Sequence, residues 1–218
     1  MRSKPGEGSP TLSAAAEVAD SQNLLFHRAN VKRLEGEAIR DAILAISGRL
    51  DRKQFGPSVP VHLTPFMQGR GRPAASGPLD GDGRRSIYIA VRRNFLPPMM
   101  LAFDTPVPFS TVGRRNVSNV PAQALILMND PFVVEQAKLW AKKVLADPGK
   151  TVEQRIERMY LEAFARRPTV DETTAVVAFL ASQVREHGNA TASPFGEERS
   201  WVDLAHVLYN AKEFVFVD

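Results

Sequence analysis

The chain has 218 residues, 44% hydrophobic and 24% charged, with no cysteine and a formal charge of +4. That composition is globular and long enough for one core. The missing cysteines exclude disulfides, thiolate metal sites, cysteine nucleophiles and the Cys-x-x-Cys-His attachment of a c-type haem. The basicity is local: residues 70–115 hold eight arginines and no lysine against Asp80, Asp82 and Asp104.

In chain order, residues 1–22 are rich in Gly, Pro, Ser and Ala and are expected to be a disordered lead-in. MRSKPGEGSP has positive charge but no apolar run behind it, so it reads as no export signal. No stretch reaches the roughly 20 consecutive apolar residues of a membrane span. The segment RANVKRLEGEAIRDAILAISGRL predicts an amphipathic helix ending near Gly48. Leu34, Ala38, Ile39, Ile43, Ile46 and Leu50 lie on one arc, with Arg33, Glu37, Arg40 and Asp41 on the other.

Residues 51–85 have little periodicity and many Gly and Pro, which predicts a long loop draped over another surface, one missing from this chain. Ile87, Tyr88, Ile89 and Val91 are β-formers without alternation, and a short buried strand or extended segment is expected there. Pro97 and Pro98 can open a short helix through Phe103, and Pro121 suits the first position of a helix over PAQALILMN. Asp130 should cap DPFVVEQAKLWAKKVLADPG, where Val133, Ala137, Trp140 and Val144 share a face. Capping boxes at Thr151/Gln154 and Thr169/Glu172 start two more helices, and a last one runs from Ser200 through Leu208 towards EFVFVD. The fold class is therefore mainly α, an irregular helical domain with one short extended segment. Its core should gather Ile43, Trp140, Phe164 and Leu208.

Few motifs carry chemistry. DGDG at 80–83 resembles the start of a calcium loop, but Arg84 and Val91 stand where oxygen ligands are needed, so it reads as a turn. GRGRPAASG lacks both nucleotide-binding spacings. His27, His62, His187 and His206 form no paired motif on a helix, and no Gly-x-Ser-x-Gly elbow is present. Asn116 and Asn189 head sequons that matter only in a secretory eukaryotic setting. The arginines admit three roles: anchors for irregular backbone, an anion site for sulfated or carboxylated glycans, or contacts to nucleic acid. The exclusive use of arginine favours the fixed fork geometry of an anchor, and the absence of nucleic-acid motifs disfavours the third. Candidate anchors or anion-binding residues are Arg84, Arg85, Arg92, Arg93, Asp104, Arg114, Arg115, Asn119, Gln123, Asn129 and Asp130. The run Ile87–Val91 is expected to lie inside, with Arg92 and Arg93 fastened to carbonyls and to acids such as Asp104.

The words VKRLEGEAIRDAILAISGRLD, GPSVPVHLTPFMQGRGRP, GPLDGDGRRSIYIAVRRNFLPPMMLAFDTPVPFSTVGRRNVSNVPAQALILMNDPFVVEQA and LAHVLYNAKEFVFVD together resemble the C-terminal part of the planctomycetal cytochrome-c-associated domain of unknown function, family 1553. The resemblance runs from about Asn23 to the C-terminus. It implies relatives that are large exported proteins in which a c-type haem domain and a companion domain precede this one. It also implies a chain truncated at its N-terminus, with haem only in the missing upstream domain, and it supplies no catalytic residue. The expected domain layout is a lead-in over 1–22 and the C-terminal part of the domain over 23–218. Two functions follow: a non-catalytic structural or interaction region whose partners are the upstream haem and companion domains, or a region that binds or processes anionic polysaccharide. Whether the chain is an enzyme, and where it resides, stay open at this level.

Overall fold

The computed structural model describes residues 14–26, 29, 31–109, 111–188 and 196–217. Most of the lead-in and His27 lie outside these residues, but its last part does not: Ala14–Ala19 form the short helix α1. The Asp20 carboxylate then accepts the N–H groups of Leu24 and Leu25, each at 2.7 Å.

Helix dominates the rest. α2 spans Gly36–Ser47 and ends where Gly48 turns left-handed at φ 83°. The prolines start α3 (Pro98–Ala102) and α4 (Pro121–Asn129). Asp130 accepts the Phe132 N–H at 2.9 Å and caps α5 (Pro131–Leu145). Both capping boxes form, opening α6 (Val152–Phe164) and α7 (Val170–Glu186).

The final helix differs from its expected course. α8 covers Glu198–Tyr209, a one-turn α9 follows at Lys212–Val215, and the chain ends in strand β2, Phe216–Val217. β2 pairs antiparallel with β1, Lys32–Arg33, in the register Lys32 to Val217 and Arg33 to Phe216. Pairing needs extended backbone, so Phe216 and Val217 leave the helix to complete a ladder that Lys32 and Arg33 begin at the other end of the chain.

α5 is the central element, packed against α2, α4, α6 and α8, while α8 also meets α7 and α9. Ile43, Trp140, Phe164 and Leu208 do share one core, joined by Trp201, Tyr209, Ile156, Met159 and Leu180. The Trp140 and Tyr209 rings sit 5.0 Å apart. Each such side chain taken fully from water contributes on the order of 1.5–3 kcal/mol, so this cluster is the main stabilising feature.

The long segment 51–85 packs its inner side on this chain itself. Val61 and Leu63 close a small second core with Phe95. Bridges Asp51–Arg84 and Val59–Ile89 then lay residues 51–59 beside residues 84–90. Tight backbone approach depends on the glycines of DGDG: at Gly83, φ 71°, a Cβ would strike the carbonyl oxygen of Arg49.

Of the short buried strand or extended segment expected at Ile87–Val91, no buried strand forms, and extended backbone is limited to the single bridge of Ile89 to Val59. Ser86–Tyr88 make a 3-10 turn in which only Ser86 is buried, and Ile87 and Val91 face outward. The cause is polar: the Asp41 carboxylate accepts both the backbone N–H and the hydroxyl of Ser86 at 2.7 Å. With Ser86 held inward, successive side chains of a turn with about three residues per turn must point away.

Candidate interaction surface

The irregular middle is fastened by two arginines that amphipathic patterning puts on the solvent face of α2 and its approach. Arg40 is buried, with its guanidinium 5.3 Å from the centre of the Phe132 ring. Its Nη1 donates to the Arg84 carbonyl at 2.9 Å and to the Ser86 hydroxyl at 3.1 Å, and its Nη2 donates to the Asp80 carbonyl at 2.7 Å. Burial lowers its pKa, and Asp41 and Asp80 offset only part of that. Arg33 is also buried and donates to Asp104 at 2.7 Å. Both were expected to face solvent. Gly36, Arg40, Ile43 and Ser47, spaced i, i+4, i+7 and i+11, form a second buried stripe on α2, and that spacing is the signal that could have revealed it.

Asp104 thus binds Arg33 and not Arg92 or Arg93. It also accepts the Ser118 N–H at 2.8 Å and the Ser118 hydroxyl at 2.9 Å. Burial raises its pKa, yet the Ser118 donors and Arg33 outweigh that and hold it below the usual aspartate value. Gln123 completes this cluster by donating to the Ser118 carbonyl at 3.2 Å.

The remaining candidates divide. Arg84 is an anchor: it lies 4.0 Å over the Tyr88 ring and donates to the Phe55 carbonyl at 2.8 Å. Arg115 forks onto Glu37 at 2.9 and 3.0 Å. Burial raises Glu37, but Arg115 and a backbone N–H lower it further, so it stays ionised. Arg85 reaches Asp41 at 3.4 Å while remaining half exposed. Asn129 donates back to the Leu125 carbonyl within α4, and Asn119 is exposed. Arg92, Arg93 and Arg114 are exposed and make no ion pair among the described residues. Arg92 and Arg93, expected to fasten the end of the Ile87–Val91 run to carbonyls and to Asp104, are therefore surface side chains.

Enclosed space is scarce near these groups. A cavity of about 80 Å³ lies between His62, Asp130, Arg40 and the α3 and α5 starts. That volume is well below the several hundred Å³ of a typical ligand pocket. Burial lifts the Asp130 pKa there, partly offset by the Phe132 N–H and His62. A wider cleft of about 270 Å³ opens at Arg114, Asn116 and Thr105. In the DGDG turn the Asp80 carboxylate is engaged within the fold, accepting Arg49 at 2.7 and 3.0 Å and the Asp82 N–H at 3.1 Å. Among the described residues no cluster of three His, Asp or Glu side chains is arranged to hold a metal. A covalent c-type haem does not fit a chain without cysteine. The described histidines join elements: His206 meets the Leu127 carbonyl at 2.9 Å and His187 meets Asp203 at 2.7 Å. The Asn189 sequon falls outside the described residues. No helix among them is long and apolar enough to cross a membrane.

The class defined by these features is a mainly helical domain whose irregular, arginine-rich middle is clamped to its second helix. A family model matches residues 7–180, well over half of the chain, and its description is a protein of unknown function, DUF1553. The chain belongs to that family. No curated protein and no solved structure matches it.

Proposed function

We propose that this chain is a non-catalytic interaction region of a larger, haem-linked and exported planctomycetal assembly, with upstream haem and companion domains, or their separate equivalents, as partners. The observation that carries the reading is the division of labour among the arginines. Arg33, Arg40, Arg84 and Arg115 spend their donors on this chain's own carbonyls and carboxylates. Arg92 and Arg93 stay on the surface beside exposed apolar side chains, which suits contact with another molecule better than folding. A tagged copy of the chain expressed in its own cells tests this. Because the chain cannot carry covalent haem, haem staining of a protein that co-purifies with it supports the reading, and an eluate without a haem-stained partner overturns it.

A second reading, binding of anionic polysaccharide, rests on one feature. Arg114 is exposed without a carboxylate partner among the described residues and lines the 270 Å³ cleft with Asn116. Its forked donors suit sulfate or carboxylate. Binding of heparin that Arg114→Gln abolishes supports it, and unchanged binding removes it.

A further inference from the structure

The surface next to Arg92 and Arg93 is more specific than a basic patch. Residues 51–59 and 84–90 run side by side, joined by the Val59 N–H to the Tyr88 carbonyl and the Ala90 N–H to the Val59 carbonyl, both at 2.8 Å. The Tyr88 hydroxyl accepts the Phe55 N–H at 2.8 Å and ties the outer end of the first ribbon to the second. This double ribbon exposes three large apolar side chains, Phe55 at 78%, Ile87 at 76% and Val91 at 69%. The same two stretches and the residues just after them carry five exposed cations, Arg52, Lys53, Arg85, Arg92 and Arg93, of which only Arg85 has an acid within ion-pair distance among the described residues.

We propose that this double ribbon docks an acidic polypeptide segment that carries apolar side chains. The inference rests on the interaction-region reading and names the chemistry of its partner. Charge complementarity sets the sign: five cations on an otherwise near-neutral chain attract a run of Asp and Glu, and arginine forks match carboxylates in pairs. The apolar residues set the class. Of the three, only Phe55 could stack on a base or a sugar ring; aliphatic Ile87 and Val91 cannot, and a phosphate or sulfate backbone gains nothing from burying them. A polypeptide can bury them and pair the arginines at once. The ribbon is also held from beneath by Arg40, Arg84 and Asp41, so the face is preformed and little ordering cost remains for binding.

The test uses the full chain and three probes: a random copolymer of glutamate and tyrosine, polyglutamate of equal charge, and heparin, each titrated at low and at physiological salt. The copolymer is expected to bind roughly tenfold tighter than polyglutamate, because only it can cover the apolar residues. The double variant Ile87→Ser with Val91→Ser should remove that tenfold and leave polyglutamate unchanged. Arg92→Glu with Arg93→Glu should weaken both acidic polymers. All these side chains are exposed, so thermal melting of each variant against the parent shows that folding is intact. The proposal is overturned if the copolymer does not bind, or if heparin binds at least as tightly and ignores the Ile87 and Val91 changes, which makes the face a plain polyanion site. Capture of a haem protein that survives all four substitutions also overturns the docking face while leaving the assembly reading standing. Copolymer discrimination without haem capture does the reverse.

Discussion

Arg40 and Arg93 occupy comparable sequence settings, each an arginine beside an apolar run, yet they do opposite work. Arg40 lies under the irregular segment, with two carbonyls and a hydroxyl on its donors and an aromatic ring against its face. Arg93 stands in solvent beside the ribbon that Arg40 holds down. The difference teaches that an arginine's role here follows from how many uncommitted carbonyls surround it. Residues 80–86 form no helix or sheet ladder of their own beyond short turns, so their carbonyls need donors from elsewhere, and α2 supplies them.

The sharpest way to break this comparison is Arg40→Ala. It strips donors from the Asp80 and Arg84 carbonyls and the Ser86 hydroxyl at once, and hydrogen bonds from a charged group are worth about 1.5–3 kcal/mol each. A loss of at least about 3 kcal/mol is expected in urea unfolding, with little rescue by Arg40→Lys, whose single ammonium cannot span those acceptors. A loss below about 1 kcal/mol would mean that the clamp does not hold the ribbon.

Next in size is the Arg33–Asp104 pair, where the order of two variants is decisive. Asp104→Ala leaves a buried guanidinium whose Nε and Nη1 already lack partners, whereas Arg33→Met leaves an aspartate still satisfied by Ser118. The first should cost about 3 kcal/mol and clearly more than the second. The pH dependence has a fixed sign: since folding depresses the Asp104 pKa, its contribution is present above the ordinary aspartate value and is lost as pH falls through the lower folded value. Acid unfolding followed by Trp140 and Trp201 fluorescence should show this, and Asp104→Asn should flatten it.

Asp130 gives a smaller effect. Asp130→Ala removes the α5 cap and should cost about 1 kcal/mol. Asp130→Asn keeps an acceptor for Phe132 and relieves a carboxylate whose ionisation burial disfavours, so at neutral pH it should match or exceed the parent in melting temperature.

The smallest effect belongs to the surface arginines. Arg92→Ala and Arg93→Ala should each stay within about 0.5 kcal/mol of the parent, alongside Arg199→Ala, whose side chain is exposed at the start of α8. A clear drop in the melting of the first two alone would return them to the anchoring role that their sequence setting suggests.

Much of the helical layer was legible because its signals are local. Asp130, Thr151, Thr169 and Gly48 each mark a helix end through side-chain or backbone geometry within three or four residues. The 3.6-residue spacing of Val133, Ala137, Trp140 and Val144 names the buried face without reference to what covers it. DGDG was likewise legible as a turn, because ligand spacing is a property of the chain alone. Among the candidate anchors, Asp104, Arg84 and Arg115 were found where backbone is irregular, but their partners were not.

Those partners depended on which distant segment arrives. Hydrophobic spacing assigns Arg33 and Arg40 to water, and only the docking of α3, the 80–86 turn and the C-terminal strand removes them from it. Ile87 and Val91 went the other way: Asp41 holds Ser86 inward, which turns Ile87 out on the same short turn, and Val91 follows it on the exposed side. Caps and periodicity act within a few residues, so the helices from α2 to α7 and the core they share could be read along the chain, while α1 and the break of the last helix into α8, α9 and β2 could not. Tertiary structure alone decided which arginines anchor and which remain free to bind, since a guanidinium goes wherever uncommitted carbonyls and carboxylates gather, and residues far apart in the chain bring those together.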